Sequence, residues 1–159
     1  VALPDKELTK YVKELRDPEI QLQPAGVDLT VRKVMEFKTA GYVGFKDKSI
    51  PDVEEIQPRD GIWYLKQGVY KVMFNEIVSV PNDVVGLCFP RSSLLRSGVV
   101  FACTVWDPGY VGRGEGLLSV LNPHGFNLEV GARVAQLVFM KLLDKPTKIY
   151  SGVYKGENI

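Results

Sequence analysis

The stretch from Phe89 to Asn122 reads FPRSSLLRSGVVFACTVWDPGYVGRGEGLLSVLN. Its short apolar runs broken by Pro, Gly and Ser are the pattern of a β protein. Pro-Arg-Ser-Ser (90–93) lies between the apolar run Val84–Phe89 and a second run, Gly98–Val105. A cation and two hydroxyls therefore fall at a strand-to-strand junction, a composition suited to phosphate. Arg91 offers a planar fork of donors, Ser92 and Ser93 offer hydroxyls, and a short helical turn through Ser-Ser-Leu-Leu-Arg aims free backbone N–H groups at the same anion. Arg96 adds a second cation one turn later. Trp106-Asp107-Pro108-Gly109-Tyr110 then puts a carboxylate at a strand end, with a turn forced by Pro-Gly and an aromatic ring three residues on. A carboxylate facing a phosphate site suits water activation, and the tyrosine suits stacking on a sugar or base.

The chain has 159 residues, 45% hydrophobic and 25% charged, with a net charge of +1. That length predicts a single domain, 1–159, with enough apolar surface for its own core. The balanced charge argues against bulk nucleic-acid binding, and any nucleotide partner would be held locally. The apolar runs Val84–Phe89 and Val134–Met140 are too short to span a bilayer, and no signal-peptide pattern opens the sequence, so a cytoplasmic location is expected. Cys88 and Cys103 lie inside apolar runs, which predicts reduced core thiols.

Leu8, Tyr11, Val12 and Leu15 fall at helical spacing after Pro4-Asp5, which predicts one amphipathic helix within 1–19. Beyond residue 20 the pattern predicts strands at Gln21–Leu22, Val27–Val34, Ile62–Leu65, Val69–Phe74, Glu76–Val80, Val84–Phe89, Val99–Val105, Leu117–Leu121, Asn127–Val130 and Arg133–Lys141. So many short strands read as a sandwich, jelly roll or barrel. Residues 45–61 are polar and poorly patterned, and read as a long loop.

Several chemistries drop out. The only histidine, His124, sits in the turn Asn-Pro-His-Gly, so no Ser-His-Asp arrangement is available. Two cysteines and one distant histidine do not supply a zinc-deaminase ligand set. Glycines 109, 112, 114 and 116 lack the Gly-Lys-Ser/Thr of a phosphate loop and shape a turn instead.

The ordered motifs Pro-Ala-Gly-Val-Asp-Leu (24–29), Pro-Arg-Ser-Ser-Leu (90–94), Val-Trp-Asp-Pro-Gly-Tyr-x-Gly (105–112) and Gly-Ala-Arg-Val-Ala-Gln-Leu (131–137) resemble the trimeric dUTPase and dCTP deaminase superfamily. The N-terminal segment and the ending Tyr150-Ser-Gly-Val-Tyr154-Lys-Gly-Glu look more like the deaminase branch, where archaeal dUTPases also sit. The resemblance implies an all-β, distorted jelly-roll subunit with a short N-terminal helix and a C-terminal arm, 144–159. It implies a homotrimer with shared sites that hydrolyses dUTP to dUMP and pyrophosphate, with Mg²⁺ on the triphosphate and no direct protein ligand to the metal.

By the same resemblance, Asp107 matches the carboxylate that orients the attacking water. Arg91, Ser92 and Ser93 match the phosphate motif, and Tyr110 the ring that packs on deoxyribose. Asp28 matches the acid near the metal's water shell, and Gln136 the glutamine facing the nucleotide. The hairpin Ala102–Val105, including Thr104, reads the base edge, while Tyr150, Tyr154 and Lys155 belong to the arm.

This chain departs from the family pattern in three places. Thr104-Val105-Trp106-Asp107 stands where dUTPases usually read Gly-Val-Ile-Asp. Ser119 stands where the deaminase glutamate falls when counted back from Asn122, which favours dUTP hydrolysis over dCTP deamination. Glu115, the nearest carboxylate, reads as an exposed turn in Gly-Glu-Gly, and the glycine-rich C-terminal motif of ordinary dUTPases is absent. Each residue alone also has an ordinary role: surface ion pairing for Arg91 and Arg96, turn formation for Asp107 and Asp28, strand packing for Tyr110 and Gln136. A deaminase, a bifunctional enzyme and a non-catalytic binding protein are the rival classes.

Overall fold

The structure is a computed structural model that describes all residues from Val1 to Ile159. In chain order the elements are α1 (Asp5–Leu8), β1 (Val12–Lys13), α2 (Pro18–Gln21), β2 (Leu22–Gln23), β3 (Gly26–Phe37), β4 (Tyr42–Val43), β5 (Lys48–Ser49) and β6 (Val53–Glu55). There follow β7 (Ile62–Leu65), β8 (Gly68–Phe74), β9 (Ile77–Ser79), β10 (Val84–Pro90), α3 (Ser92–Arg96), β11 (Val99–Ala102) and β12 (Val105–Trp106). The last elements are β13 (Val111–Gly112), β14 (Glu115–Val120), β15 (Phe126–Glu129) and β16 (Arg133–Lys141).

The architecture is nearly all-β, as expected. Its main sheet runs β11-β14-β8-β3-β16-β10-β12, with β2 and β6 also pairing with β3. The 12-residue strand β3 is the pivot. Its first half pairs with β16, through Gln136↔Asp28 and Leu137↔Val27, and its second half pairs with β8, through Val34↔Val72 and Glu36↔Tyr70. The register shifts once in each ladder, between Arg133 and Ala135 and between Val31 and Lys33. Such irregularities bend a strand and increase its twist. The outermost strands of the path, β11 and β12, are separated by only Cys103 and Thr104, so the sheet curls until its edges meet. Phe74, Phe139, Leu29, Leu137, Val31, Val34 and Val72 are buried inside that curl.

Four expectations require correction. The predicted N-terminal helix is one turn, Asp5–Leu8; Tyr11 then accepts from the Ser79 amide at 2.7 Å and Val12 pairs with Val78 in β1. Helical spacing at 8, 11, 12 and 15 was matched by chance, because a β-branched residue beside a waiting strand edge gains more from the ladder. Gln21 ends a second short helix, α2, instead of opening a strand; the Asp17 carboxylate caps it by accepting from the Glu19 and Ile20 amides at 3.1 and 3.3 Å. The 45–61 segment carries β5 and β6, the latter paired with β3 through Met35↔Glu55. Finally, Cys88 and Cys103 are not free thiols but a disulfide with Cα atoms 5.8 Å apart. Leu87 pairs with Val105, so the two cysteines flank the β10–β12 ladder on one side.

Glu76 is fully buried in the turn between β8 and β9. It accepts from the Thr30 amide (2.9 Å), the Thr30 hydroxyl (2.6 Å) and the Gln21 side-chain amide (2.7 Å). Gln21 also donates to the Asp28 carbonyl at 2.9 Å, so this carboxylate ties α2 and β3 to the turn after β8. Removing it leaves three buried donors without a partner, and Glu76→Ala is expected to cost about 3–5 kcal/mol by urea unfolding. Burial pushes the Glu76 carboxyl above its ordinary 4.5, against the bonds from Thr30 and Gln21. The folded state therefore holds that proton more tightly than the unfolded chain. Its stabilisation is complete below the ordinary value and is lost as pH rises through the raised one. The stability of the wild type relative to Glu76→Gln should thus be greater at about pH 4 than at about pH 8.

The bridge closes a loop with a sequence separation of 15. A loop of that size contributes about 3 kcal/mol. Cys88→Ser/Cys103→Ser should melt roughly 6–12 °C below the oxidised protein in calorimetry without reductant. Equal melting temperatures would mean the bridge adds nothing.

Candidate active site

The motifs gather into two groups on one chain. The first lies where β3, β10 and β16 run side by side, with Gln136 in register with both Asp28 and Phe89. Asp28 is 1% exposed, and its Oδ2 meets Arg91 Nε at 3.2 Å, Arg133 Nη1 at 3.1 Å and Gln23 Nε2 at 3.4 Å. Burial raises the Asp28 carboxyl, and the two guanidinium groups oppose that rise. The carboxylate holds both arginines at the rim, each half-buried. Arg91 is the N-cap residue of α3, and its amide donates to the Val134 carbonyl at 3.0 Å. Ser92, Ser93 and Arg96 are exposed around this five-residue helix, where Arg96 Nη1 donates to the Ser92 carbonyl at 3.3 Å. A clustered pair of guanidiniums with nearby hydroxyls can hold a phosphate chain.

The second group lines a cleft of about 760 Å³. Its lining includes Thr104, Val105, Trp106, Asp107 and Tyr110, the arm residues Tyr150, Val153, Tyr154 and Glu157, and the charged side chains of Lys48, Lys71 and Glu115. Asp107 is exposed at the end of β12 and pairs with no cation of this chain. The turn after it closes with the Tyr110 amide on the Asp107 carbonyl, 3.1 Å, and Gly109 takes the positive φ of 87° that this turn requires. The Tyr150 amide donates to the Pro108 carbonyl at 2.7 Å, which pins the arm onto the same turn. Tyr110 is buried, edge-on to Trp106 at 5.2 Å and to Tyr150 at 5.7 Å. Burial, reinforced by the bond to Glu157, keeps its phenol protonated far above the ordinary value.

Glu115 is not an exposed turn. It opens β14, half-buried, and its Oε2 meets Lys71 Nζ at 2.9 Å. Ser119 lies further along β14, on the same outward face, between Val100 and Val69. Ala102, Thr104, Glu115 and Lys71 also line a second, smaller cleft of about 320 Å³ with Cys103 and Phe37. The expected hairpin at Ala102–Val105 is instead a two-residue link, Cys103-Thr104, between strands β11 and β12 that do not pair with each other, and the disulfide fastens that link to β10.

None of Asp28, Arg91, Ser92, Ser93, Arg96 or Gln136 lines either cleft, and neither does Lys155, whose Nζ reaches the Tyr150 carbonyl at 3.5 Å. Arg133, Lys71, Lys48 and Glu157 are contributors that sequence reasoning passed over. Arg133 had a signal, a cation opening a mostly apolar strand. Lys48 had none, because it comes from the unpatterned 45–61 segment and reaches the arm by lying 4.3 Å from the centre of the Tyr154 ring.

The family model described as dCTP deaminase-like matches residues 2–142. The chain is 49% identical over 138 residues to a protein of Aeropyrum pernix named "Probable deoxyuridine 5'-triphosphate nucleotidohydrolase", covering 87% of each chain. It is 38% identical over 142 residues to the Methanocaldococcus jannaschii protein named "Deoxyuridine 5'-triphosphate nucleotidohydrolase", covering 87% of this chain and 89% of that one. Among solved structures, the 2'-deoxycytidine 5'-triphosphate deaminase of Agrobacterium tumefaciens superposes with a TM-score of 0.66 at 22% identity, over 87% of this chain and 46% of the longer one. The EIAV dUTPase superposes with a TM-score of 0.52 at 17% identity, over 90% and 92%. A match that runs through the pivot strand, the arginine pair and the Asp107 turn alike makes this chain a member of the dCTP deaminase-like family.

Proposed function

We propose that the chain hydrolyses dUTP to dUMP and pyrophosphate at sites shared between copies of a homotrimer. The observation that carries this reading is the separation of the two groups. The arginine pair and the serines suit a triphosphate, and the cleft around Asp107 and Tyr110 suits a nucleoside, yet one chain keeps them apart. The charged residues lining the cleft, Lys48 and Lys71 against Asp107, Glu115 and Glu157, lean acidic and do not suit a polyanion. A neighbouring copy that brings its arginine pair to this cleft completes one site. The outward face of β8, β11 and β14 offers Val69, Val100 and Leu117 for such a contact, exposed at 49, 48 and 39%. The relatives named for dUTP hydrolysis support the choice of substrate.

Asp107 holds a water and takes its proton as the oxygen bonds to the α-phosphorus. The bond from that phosphorus to the α,β-bridging oxygen breaks, and pyrophosphate leaves with the electron pair. Mg²⁺ carried on the triphosphate as part of the substrate would supply neutralisation of charge on the leaving group. The buried Asp28 is already engaged by Arg91 and Arg133 and offers no free carboxylate oxygen as a direct metal ligand, in keeping with a metal carried by the triphosphate. Tyr110 packs on the deoxyribose, Thr104 and Val105 carry the backbone groups that read the base, and the arm from Tyr150 to Lys155 covers it. No helix is long and apolar enough to cross a membrane.

Glu115 favours a second reading. A half-buried carboxylate beside Lys71 in the cleft is placed to relay a proton to an amino leaving group, which keeps dCTP deamination in view.

Incubation with dUTP, dCTP, dTTP and UTP plus Mg²⁺, following pyrophosphate and ammonia separately, decides between the readings. Pyrophosphate from dUTP alone is expected. Asp107→Asn should lower kcat by about 10²–10⁴-fold while nucleotide Kd stays within a few-fold, and Ser119→Ala should leave hydrolysis within a few-fold. Retention of more than about a tenth of kcat by Asp107→Asn would remove the aspartate from water activation. Light scattering at micromolar concentration should give a trimer; a fully active monomer would refute the shared site.

A further inference from the structure

Tyr110 carries a hydroxyl as well as a ring, and the structure commits that hydroxyl to one partner. It donates to Glu157 Oε1 at 2.6 Å. Glu157 lies at the far end of the arm, and the backbone around it is tied down. The Gly156 amide donates to the Val111 carbonyl at 2.7 Å, with Gly156 at a φ of 78°. The Arg113 amide donates to the Glu157 carbonyl at 3.0 Å. Asn158 Nδ2 donates to the Arg113 carbonyl at 3.0 Å, and Arg113 Nε donates to the Asn158 carbonyl at 3.1 Å. The buried Arg113 side chain is itself fixed by Glu14 at 2.6 Å and by the Asn75 carbonyl.

Gly112 leaves the space in which the phenol and the carboxylate meet. A Cβ at that position stands 2.6 Å from the Tyr110 hydroxyl oxygen and 3.1 Å from Glu157 Cγ. Tyr110 and Glu157 both line the cleft, so the bond is made at the cleft wall.

We propose that Glu157 is a specificity-determining residue: by holding the Tyr110 hydroxyl proton, it removes the one hydrogen-bond donor on that ring which could satisfy the 2′-hydroxyl of a ribonucleotide. This rests on the reading of the cleft as the nucleoside half of a deoxynucleotide site. A 2′-hydroxyl that enters against the ring loses water and finds no donor there, which costs binding and turnover. With Glu157 absent, the phenol proton is free to be donated to that hydroxyl, and the penalty on UTP falls.

The role separates from mere bracing of the arm through a set of variants compared on one ratio, kcat/KM for dUTP over UTP. Glu157→Ala should shrink the ratio by about tenfold. Glu157→Gln keeps an oxygen that accepts from the phenol and should retain the wild-type ratio. Gly112→Ala drives the pair apart and should behave like Glu157→Ala. The decisive variant is Tyr110→Phe/Glu157→Ala, which has no hydroxyl to offer and should regain most of the discrimination. A structural role for Glu157 predicts instead that the double variant is at least as unselective as Glu157→Ala.

The same comparison is made on the Kd of dUMP and UMP by calorimetry, with circular dichroism melts to establish that each variant folds. A wild type that binds dUMP over UMP but hydrolyses neither triphosphate would refute dUTP hydrolysis while still testing Glu157. An unchanged ratio in Glu157→Ala, no recovery in the double variant, or no binding of either monophosphate would overturn the proposal.

Discussion

A strand that changes partners halfway along cannot stay flat, and this chain is built on one. β3 gives its first residues to β16 and its last to β8, with a register shift in each ladder. Those shifts turn the sheet sharply enough for strands two residues apart in sequence to become its opposite edges. The bend also explains why buried polar groups collect nearby. Thr30 and Asp28 face inward where the ladder changes hands, and Glu76 and Gln21 meet the donors and carbonyls that a regular ladder would have satisfied. Closing the curl costs buried polarity, and the network offsets it bond for bond.

The same bend distributes the chemistry. Asp28, Arg91, Arg133 and Gln136 fall on the β3, β16 and β10 side, while Asp107 and Tyr110 follow the short strand β12 at the sheet's end. Asp28 anchors the arginines from below and is almost sealed from solvent, whereas Asp107 stands exposed with no cation beside it. Two aspartates of similar sequence weight thus do different work because of burial and partners alone. One is an electrostatic strut, and the other stands unpaired at the cleft.

Much of this was legible in the sequence, for reasons tied to particular residues. Strands β8, β10, β14 and β16 follow from apolar runs bounded by Gly, Pro and Asn, and the Asp107 turn follows from Pro108-Gly109. The failures have physical causes too. Tyr11 and Val12 carry helical spacing but were claimed by the edge of β9, a tertiary contact that no local pattern announces. The 45–61 segment gains its strands only by pairing with β3 and with β4 just before it. The cysteines sit in apolar runs as core thiols do; that Leu87 and Val105 share a rung, and so bring them together, depends on the curl. The arm was legible as aromatic and basic, but its anchoring carboxylate, Glu157, matters through a partner 47 positions away.

An open sheet normally leaves two rows of unpaired amides and carbonyls, and such rows recruit strands from other molecules. Here the terminal strands are four and two residues long, adjacent in sequence and stapled through Cys103 to β10. Neither presents a ladder long enough to template another chain. Copies of this protein can therefore meet face to face without the competing outcome of edge-to-edge polymerisation, and an exposed apolar face becomes tolerable in solution.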